Sequence, residues 1–282
     1  MAYTDLIQIQ MIDKVLKDGI WSYNEPTMKV RTKWKDGEDA HYKSIFGYQN
    51  EYRPSQAFPL TELRDMNFEA LVDEILWIFQ RKSNNVNDLN SKIWNQWADE
   101  RGSIGRAYGY QIAKPIDYAE GTMDQFDKVL YDISKKPWDR GIMTNIFIPE
   151  DIPHMNLRPC AFGTHWRVLG GELHLKLMQR SSDLITANNW NVAQYAVLQA
   201  MVAQVNGLRV GKLIHDIGDL HIYDRHLDAA AEMKRRYVGF QHQSLPQLII
   251  DPDVKNFYDF RVEHFKVVEY NPMGKIVIPV AE

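Results

Sequence analysis

Apolar residues Leu6, Ile7, Met11, Ile12, Val15 and Leu16 recur at the three- and four-residue spacing of one helix face, and Gly19 stops the run. The spacing predicts a first helix capped by Thr4. Leu71, Val72, Ile75, Leu76, Ile78 and Phe79 form a wider apolar stripe, which a helix needs when it lies on a sheet. Either Asn67 or Asp65 caps it, and Glu74 falls inside the stripe. Thr122 and Gln125 stand at capping-box spacing ahead of Phe126, Val129, Leu130 and Ile133, with Pro137 ending the segment. Residues 192–205 are almost wholly apolar, which predicts a buried central helix that closes on Asn206-Gly207 and has Asn191 at its start.

Alternation at Leu173, Leu175 and Leu177, with Gly170-Gly171 before it, predicts a hairpin of strands 162–169 and 172–179. Cys160 then enters one strand and Arg180 leaves the other. A strand near residues 43–49 follows an exposed, charged loop over 31–39. Residues 218–223 predict a short strand with His221 and Tyr223 on one face, leading into a helix through Met233. Strands return from Phe257 onward, with a turn at Asn271-Pro272-Met273-Gly274. With no repeat and no low-complexity linker, the pattern predicts one α+β domain over 1–282. Its mixed β-sheet is flanked by helices and is mostly not of the alternating βαβ type.

Composition narrows the function. A chain of 282 residues with 45% hydrophobic content supports a sizeable core, and a formal charge of −4 argues against nucleic acid as the main partner. No apolar run approaches the roughly 20 residues of a membrane span. One cysteine and no charged-then-apolar leader lead us to expect a reducing, cytoplasmic setting. No Gly-x-Gly-x-x-Gly or Walker loop is present, and the lone cysteine with His221 and His226 gives no zinc-ligand spacing, so no metal is expected.

The cysteine itself is the candidate for chemistry. Cys160 lies in Leu157-Arg158-Pro159-Cys160-Ala161, and Arg158 or Arg180 supplies a charge that would favour the nucleophilic thiolate. The competing reading is a small buried apolar residue. Other polar groups gather at element ends, where binding residues collect: Arg180, Ser181, Asp183, Asn191, His221 and Tyr223.

These motifs, in order, resemble the thymidylate synthase family: Phe58-Pro59-Leu60; Glu74-Ile75-Leu76-Trp77; Ile93-Trp94-x-x-Trp97-Ala98-Asp99-Glu100; Tyr108-Gly109-x-Gln111; Pro159-Cys160; Gln179-Arg180-Ser181-x-Asp183; Asn191-Val192-Ala193; and Gly218-Asp219-x-His221-x-Tyr223. Ala161 is similar to the variant branch that lacks a His after Pro-Cys. The resemblance implies a homodimer that methylates dUMP to dTMP with 5,10-methylenetetrahydrofolate. It implies Cys160 as the nucleophile toward C6 of uracil, assisted by Glu74, Tyr108, Asn191 and Asp183. Arg31, Arg180, Ser181 and, from the second subunit, Arg140 would hold the phosphate, Asn191 the uracil edge, and His221 and Tyr223 the ribose hydroxyl. Trp94, Trp97, Leu157, Asp183, Ala187, Trp190 and Ala281 would line the folate pocket. Glu74 is either salt-bridged or used for proton transfer, because burying it alone is costly.

Some positions depart from the family pattern. The paired arginines become Arg140-Gly141, the nearby Trp-Asn becomes Phe147-Ile148, the folate-facing loop reads Thr186-Ala187-Asn188-Asn189-Trp190, and the last residue is Glu282. Looser packing there would admit water, as in the related nucleotide hydroxymethylases, so a hydroxymethyl product is the alternative. A non-catalytic nucleotide-binding relative is a further reading.

Overall fold

The structure, a computed structural model, describes residues 3–27, 29–239 and 245–281. In chain order the elements are α1 (Tyr3–Asp18), β1 (Ile20–Trp21), β2 (Tyr42–Tyr52), α2 (Phe68–Phe79), α3 (Gly109–Ala113), β3 (Ile116–Tyr118), β4 (Gly121–Met123), α4 (Gln125–Lys135), β5 (Met143–Asn145), β6 (Ala161–Leu169), β7 (Glu172–Asp183), α5 (Asn188–Val205), β8 (Arg209–Tyr223), α6 (Leu227–Gly239), β9 (Gln247–Ile250) and β10 (Phe265–Val268). Six strands form one sheet in the order β1-β2-β8-β7-β6-β5. The fold is α+β with a mixed sheet: β7 and β8 run parallel, and every other pairing in this sheet is antiparallel.

The parallel pair follows from α5. Its residues 192–203 are all buried, so the helix cannot lie on the surface and instead packs between the sheet and α2. The chain therefore leaves the end of β7, crosses through α5 and returns as β8 in the same direction, the single parallel pairing in an otherwise antiparallel sheet. Each fully buried Val or Leu of this crossover contributes roughly 1.5–3 kcal/mol. Along β7 and β8 the buried and half-exposed residues alternate, with Leu173, Leu175, Leu177, Leu213 and Ile217 turned to the helices.

Several element ends differ from the sequence pattern. Strand β7 runs on through Arg180 to Asp183, and the strand expected at 218–223 is the end of the 15-residue β8. Both extensions are polar, so alternation of apolar residues could not reveal them. Thr4 lies buried within α1 rather than capping it, and Asn67, not Asp65, caps α2 by accepting from the Ala70 N–H. At α4 the cap is Asp124, whose Oδ1 accepts from the N–H groups of Phe126 and Asp127, each at 2.9 Å. Thr122 sits in β4 with its hydroxyl on Asp117, and Gln125 reaches Gln111 and Asn145. The loop at 31–39 is not wholly exposed, because Trp34 is buried. In the tail only β10 is a strand, paired with β9. Residues 271–274 make no turn of their own: Asn271 and Met273 donate to Glu62, and the Gly274 carbonyl accepts from Asp65.

Replacing Asp124 by Ala removes the side-chain acceptor of two backbone N–H groups and the Lys82 ion pair, so it should lower stability by about 1–2 kcal/mol, whereas Thr122→Ala should cost less than about 0.5 kcal/mol. Urea unfolding of both variants measures the difference, and equal losses would restore Thr122 as the cap.

Candidate active site

Cys160 precedes β6, and its backbone is fixed on both sides. Its carbonyl accepts from the Arg180 N–H at 2.8 Å, and its own N–H donates to Tyr108 Oη at 3.1 Å. The Arg180 guanidinium is tethered in turn: Nε donates to the Pro159 carbonyl at 3.0 Å and Nη2 to the Arg158 carbonyl at 2.8 Å. That leaves Nη2 3.6 Å from Cys160 Sγ. Arg158 contributes its carbonyl, while its side chain is exposed. Burial pushes the thiol pKa up and Arg180 pulls it down, and burial wins. The sequence expectation that Arg180 favours the thiolate has the right sign, but the guanidinium alone does not make the thiolate the resting form. A register shift between Ala161 and Gly163 marks a bulge just after the cysteine, a device that re-aims a strand's side chains.

Tyr108 occupies an unusual backbone conformation, φ 48° and ψ −110°, before α3. Such geometry costs a bulky residue on the order of 1–3 kcal/mol. The next residue shows why the chain bends there: a Cβ on Gly109 would lie 2.0 Å from the Ser83 carbonyl oxygen. The bend brings the Tyr108 ring edge-on to Trp94, centroids 4.9 Å apart, and Trp94 meets Trp97 at 5.5 Å and Trp77 at 5.4 Å. Burial raises the Tyr108 phenol well above its ordinary range, so it stays protonated.

Two adjacent carboxylates on α2 have opposite surroundings. Asp73 pairs with Arg81 at 2.7 Å and accepts from the Asn90 N–H at 2.9 Å. Glu74, buried beside it, has no cationic partner among the described residues. Its partners are neutral: Trp190 Nε1 donates to it at 3.2 Å, and Gln194 and Trp94 also hydrogen-bond to it. Burial raises its pKa and the hydrogen bonds offset only part of that. Of the two readings for Glu74, the salt bridge finds no cation among the described residues. Trp190, expected in the folate pocket, is the indole that donates to this carboxyl.

Asn191 lies in the first turns of α5, not at its cap. Its amide is oriented by neighbours: Oδ1 accepts from Gln179 Nε2 at 3.0 Å and Nδ2 faces Gln194 Oε1 at 3.3 Å. Gln179 also donates to the Ser181 carbonyl, and its Oε1 meets His215 Nε2 at 2.8 Å. Burial lowers the His215 pKa to about 3, so the ring is neutral and Nε2 carries the proton toward Gln179. Gln194 and His215 were not singled out from sequence, and Gln179 stood only as the first residue of a motif, with no role assigned. The signal was available only as polar residues within apolar runs, Gln194 in the central helix and His215 in β8.

The parallel register sets Ser181 beside Asp219 and Asp183 beside His221. Asp183 Oδ1 accepts from the N–H groups of Ile185 and Thr186, and Oδ2 accepts from the Thr186 hydroxyl. Burial would raise this carboxyl, but His226, His221 and Thr186 hold it at about 2. His221 and Tyr223 do share a face, with ring centroids 5.0 Å apart, and His221 Nδ1 lies 2.7 Å from Asp219 Oδ1. Burial raises the Tyr223 pKa to about 12, and Thr32 hydrogen-bonds to its hydroxyl, which ties the loop bearing Arg31 to this strand end. Arg31 itself is exposed. Arg140 is exposed too, in the link before β5, with its carbonyl taken by His165 Nε2. Leu157, Trp97, Ala187 and Ala281 are all half-buried, and Glu282 lies outside the described residues. Among the described residues no cluster of three metal-ligating side chains occurs, and no helix is long and apolar enough to cross a membrane.

The chain has close counterparts. The thymidylate synthase family model matches residues 8–282. The chain is 39% identical over 287 aligned positions to a thymidylate synthase of Bacillus licheniformis, covering 100% of both chains. It is 38% identical to the thymidylate synthase of Bacillus phage phi3T, covering 96% of both. The solved structure of thermostable thymidylate synthase A from Bacillus subtilis superposes with a TM-score of 0.90 at 36% identity, covering 99% of each chain. A lone cysteine under a tethered arginine, an unpaired buried carboxyl and these full-length matches agree: the chain belongs to the thymidylate synthase family.

Proposed function

We propose that this protein converts dUMP to dTMP by reductive methylation, with Cys160 as nucleophile and 5,10-methylenetetrahydrofolate as one-carbon donor. The observation that carries the reading is the position of Cys160 Sγ, 3.6 Å from the Arg180 guanidinium. In the first step the sulfur's electron pair forms a bond to C6 of the uracil ring, the C5=C6 pair shifts toward C5 and O4, and the negative charge spreads over that enolate. A phosphate drawn to Arg180 and Ser181, with Arg31 from the loop, brings the substrate beside the thiol, and the thiol proton passes to water as the bond forms. Glu74, whose pKa burial raises toward the range where it can both give and take a proton, is suited to pass a proton through water to O4 and back.

Asn191 presents both an acceptor and a donor, which match N3–H and O4 of uracil and mismatch the reversed edge of cytosine. His221 and Tyr223 serve the ribose hydroxyl. The residues present fit the folate. Trp94, Trp97 and Leu157 offer flat apolar contact, and Asp183, kept ionised, offers acceptors for ring N–H groups. Ala187 and Ala281 would flank it. When bound, the folate supplies the one-carbon unit and the hydride that reduces it. The retained Trp94 and the synthase relatives favour the methyl over the hydroxymethyl product and over a non-catalytic binder.

The protein acts, on this reading, as a homodimer. Facing away from α5, β6 to β8 present half-exposed Phe162, Met178, Val210 and Ile214, and Phe46 on β2 is 89% exposed. A second copy covering this face would let the partner subunit's Arg140 reach the phosphate. The lone cysteine suits a cytoplasmic setting.

Incubation with dUMP and methylenetetrahydrofolate should yield dTMP and dihydrofolate, and Cys160→Ser should lower kcat by at least about a thousandfold. A hydroxymethyl nucleotide with tetrahydrofolate retained would overturn the assignment. Because Cys160 is the only thiol, iodoacetamide labelling reads its thiolate directly. Arg180→Gln should raise its pKa further and slow labelling at pH 8 several-fold, by roughly the factor a one-unit shift implies. An unchanged rate would remove Arg180 from the nucleophile's environment. Asn191→Asp should shift preference from dUMP toward dCMP, measured as the ratio of kcat/KM values. Unaltered discrimination would count against the pairing assigned to Asn191.

A further inference from the structure

Beyond helping to keep Asp183 ionised, His226 has no part in the chemistry proposed, yet four parts of the site converge on it. The ring is fully buried. Nε2 lies 2.7 Å from the carbonyl oxygen of Pro279 in the C-terminal tail, and Nδ1 lies 3.4 Å from Asp183 Oδ1 at the end of β7. Its faces meet Trp34 of the loop that carries Arg31, at 5.6 Å, and Tyr223 of β8, at 5.4 Å. Trp34 is fixed from the other side, its Nε1 on Asp224 and Arg225 over its ring at 5.1 Å. The tail is held at a second place, where Arg236 Nη1 donates to the Gly274 carbonyl and Asn271 to Glu62. Beyond it, Ile276 and Ile278 pack inward while Val277 is 95% exposed, so the last polar anchor among the described residues is His226.

We propose that His226 is a positioning residue that latches the C-terminal tail to the end of β7 beside Asp183, at the edge of the folate pocket proposed above. Nε2 hydrogen-bonds the Pro279 carbonyl, while Nδ1 stands at ion-pair distance from Asp183 Oδ1 without a hydrogen bond to it, so a charged ring is drawn to both the carbonyl and the carboxylate. A neutral ring keeps one N–H and can serve only one of them. The titratable and charged groups facing the ring are Asp183, Asp224 and Tyr223, with Arg64 and His221 acting through Asp183. Burial opposes the charge on His226, but Asp183 and the Pro279 carbonyl outweigh it and the pKa is raised. The sign follows: the latch is complete below the ordinary histidine pKa of about 6.5 and loosens as pH rises through the higher folded value. Acid weakens it only where Asp183 takes up a proton.

The pocket's identity rests on the function proposed above, whereas the latch itself can be read without nucleotide or folate. Amide hydrogen exchange of residues 276–281 in the full-length, ligand-free protein should show protection that falls with rising pH after correction for intrinsic exchange. His226→Leu should lower that protection about tenfold or more, while α2 amides stay protected. His226→Gln, which keeps a donor for Pro279 but no charge, should restore part of the protection and abolish its pH dependence. In turnover, both variants should raise KM for methylenetetrahydrofolate and leave KM for dUMP unchanged. Wild-type tail protection in His226→Leu, or an intact pH dependence in His226→Gln, overturns the latch. Should the leucine chain fail to fold, the glutamine variant alone decides. An opened tail with unaltered folate KM would support the latch and overturn the pocket assigned to Asp183.

Discussion

The parallel ladder between β7 and β8 is the constraint on which the site depends. It exists because α5 is too apolar to lie anywhere but under the sheet, so the chain must cross and return in the same direction. That return lays the polar end of β7 against the polar end of β8: Ser181 beside Asp219 and Asp183 beside His221. The same crossover carries Asn191 and Gln194 in on one helix, within reach of Gln179 on β7 and Glu74 on α2. Residues far apart in the chain are thus gathered by one packing requirement rather than by many separate contacts.

Around this ladder the structure sorts charge by what each group must do. Asp73 is neutralised by Arg81, Asp183 is kept ionised by histidines and a hydroxyl, and Glu74 is given only neutral donors. A buried carboxyl without a cation is costly, and the cost falls as the group accepts a proton. Position on the same helix therefore does not decide chemistry: the neighbouring side chain does. Cys160 follows the same logic, with burial and a single guanidinium acting in opposite directions.

Much of this was legible in the sequence, and what was not shares a cause. The apolar runs gave α2 and α5, and the Gly170-Gly171 turn gave the hairpin, because water-excluding faces impose a period on the chain. The polar ends of β7 and β8 carry no such period, so their lengths were underestimated. Asp124 replaced Thr122 as a cap because β4 claimed Thr122 for strand geometry. At the site, motif residues were visible one by one. The groups that orient them had no role assigned: Gln179 stood only as a motif letter, His226 only in a rejected zinc pair, and Gln194 and His215 as polar letters in apolar surroundings. Their meaning depends on partners that only the tertiary fold supplies.

The bent backbone at Tyr108 is held in place by what its side chain fills. A glycine there would relieve strain of about 1–3 kcal/mol, yet it would empty a buried ring site against Trp94, at a cost on the order of 3–5 kcal/mol, and remove the hydroxyl under the Cys160 N–H. One ring thus serves packing and chemistry together, so a search for heat-resistant variants would leave this position alone even with turnover unmeasured.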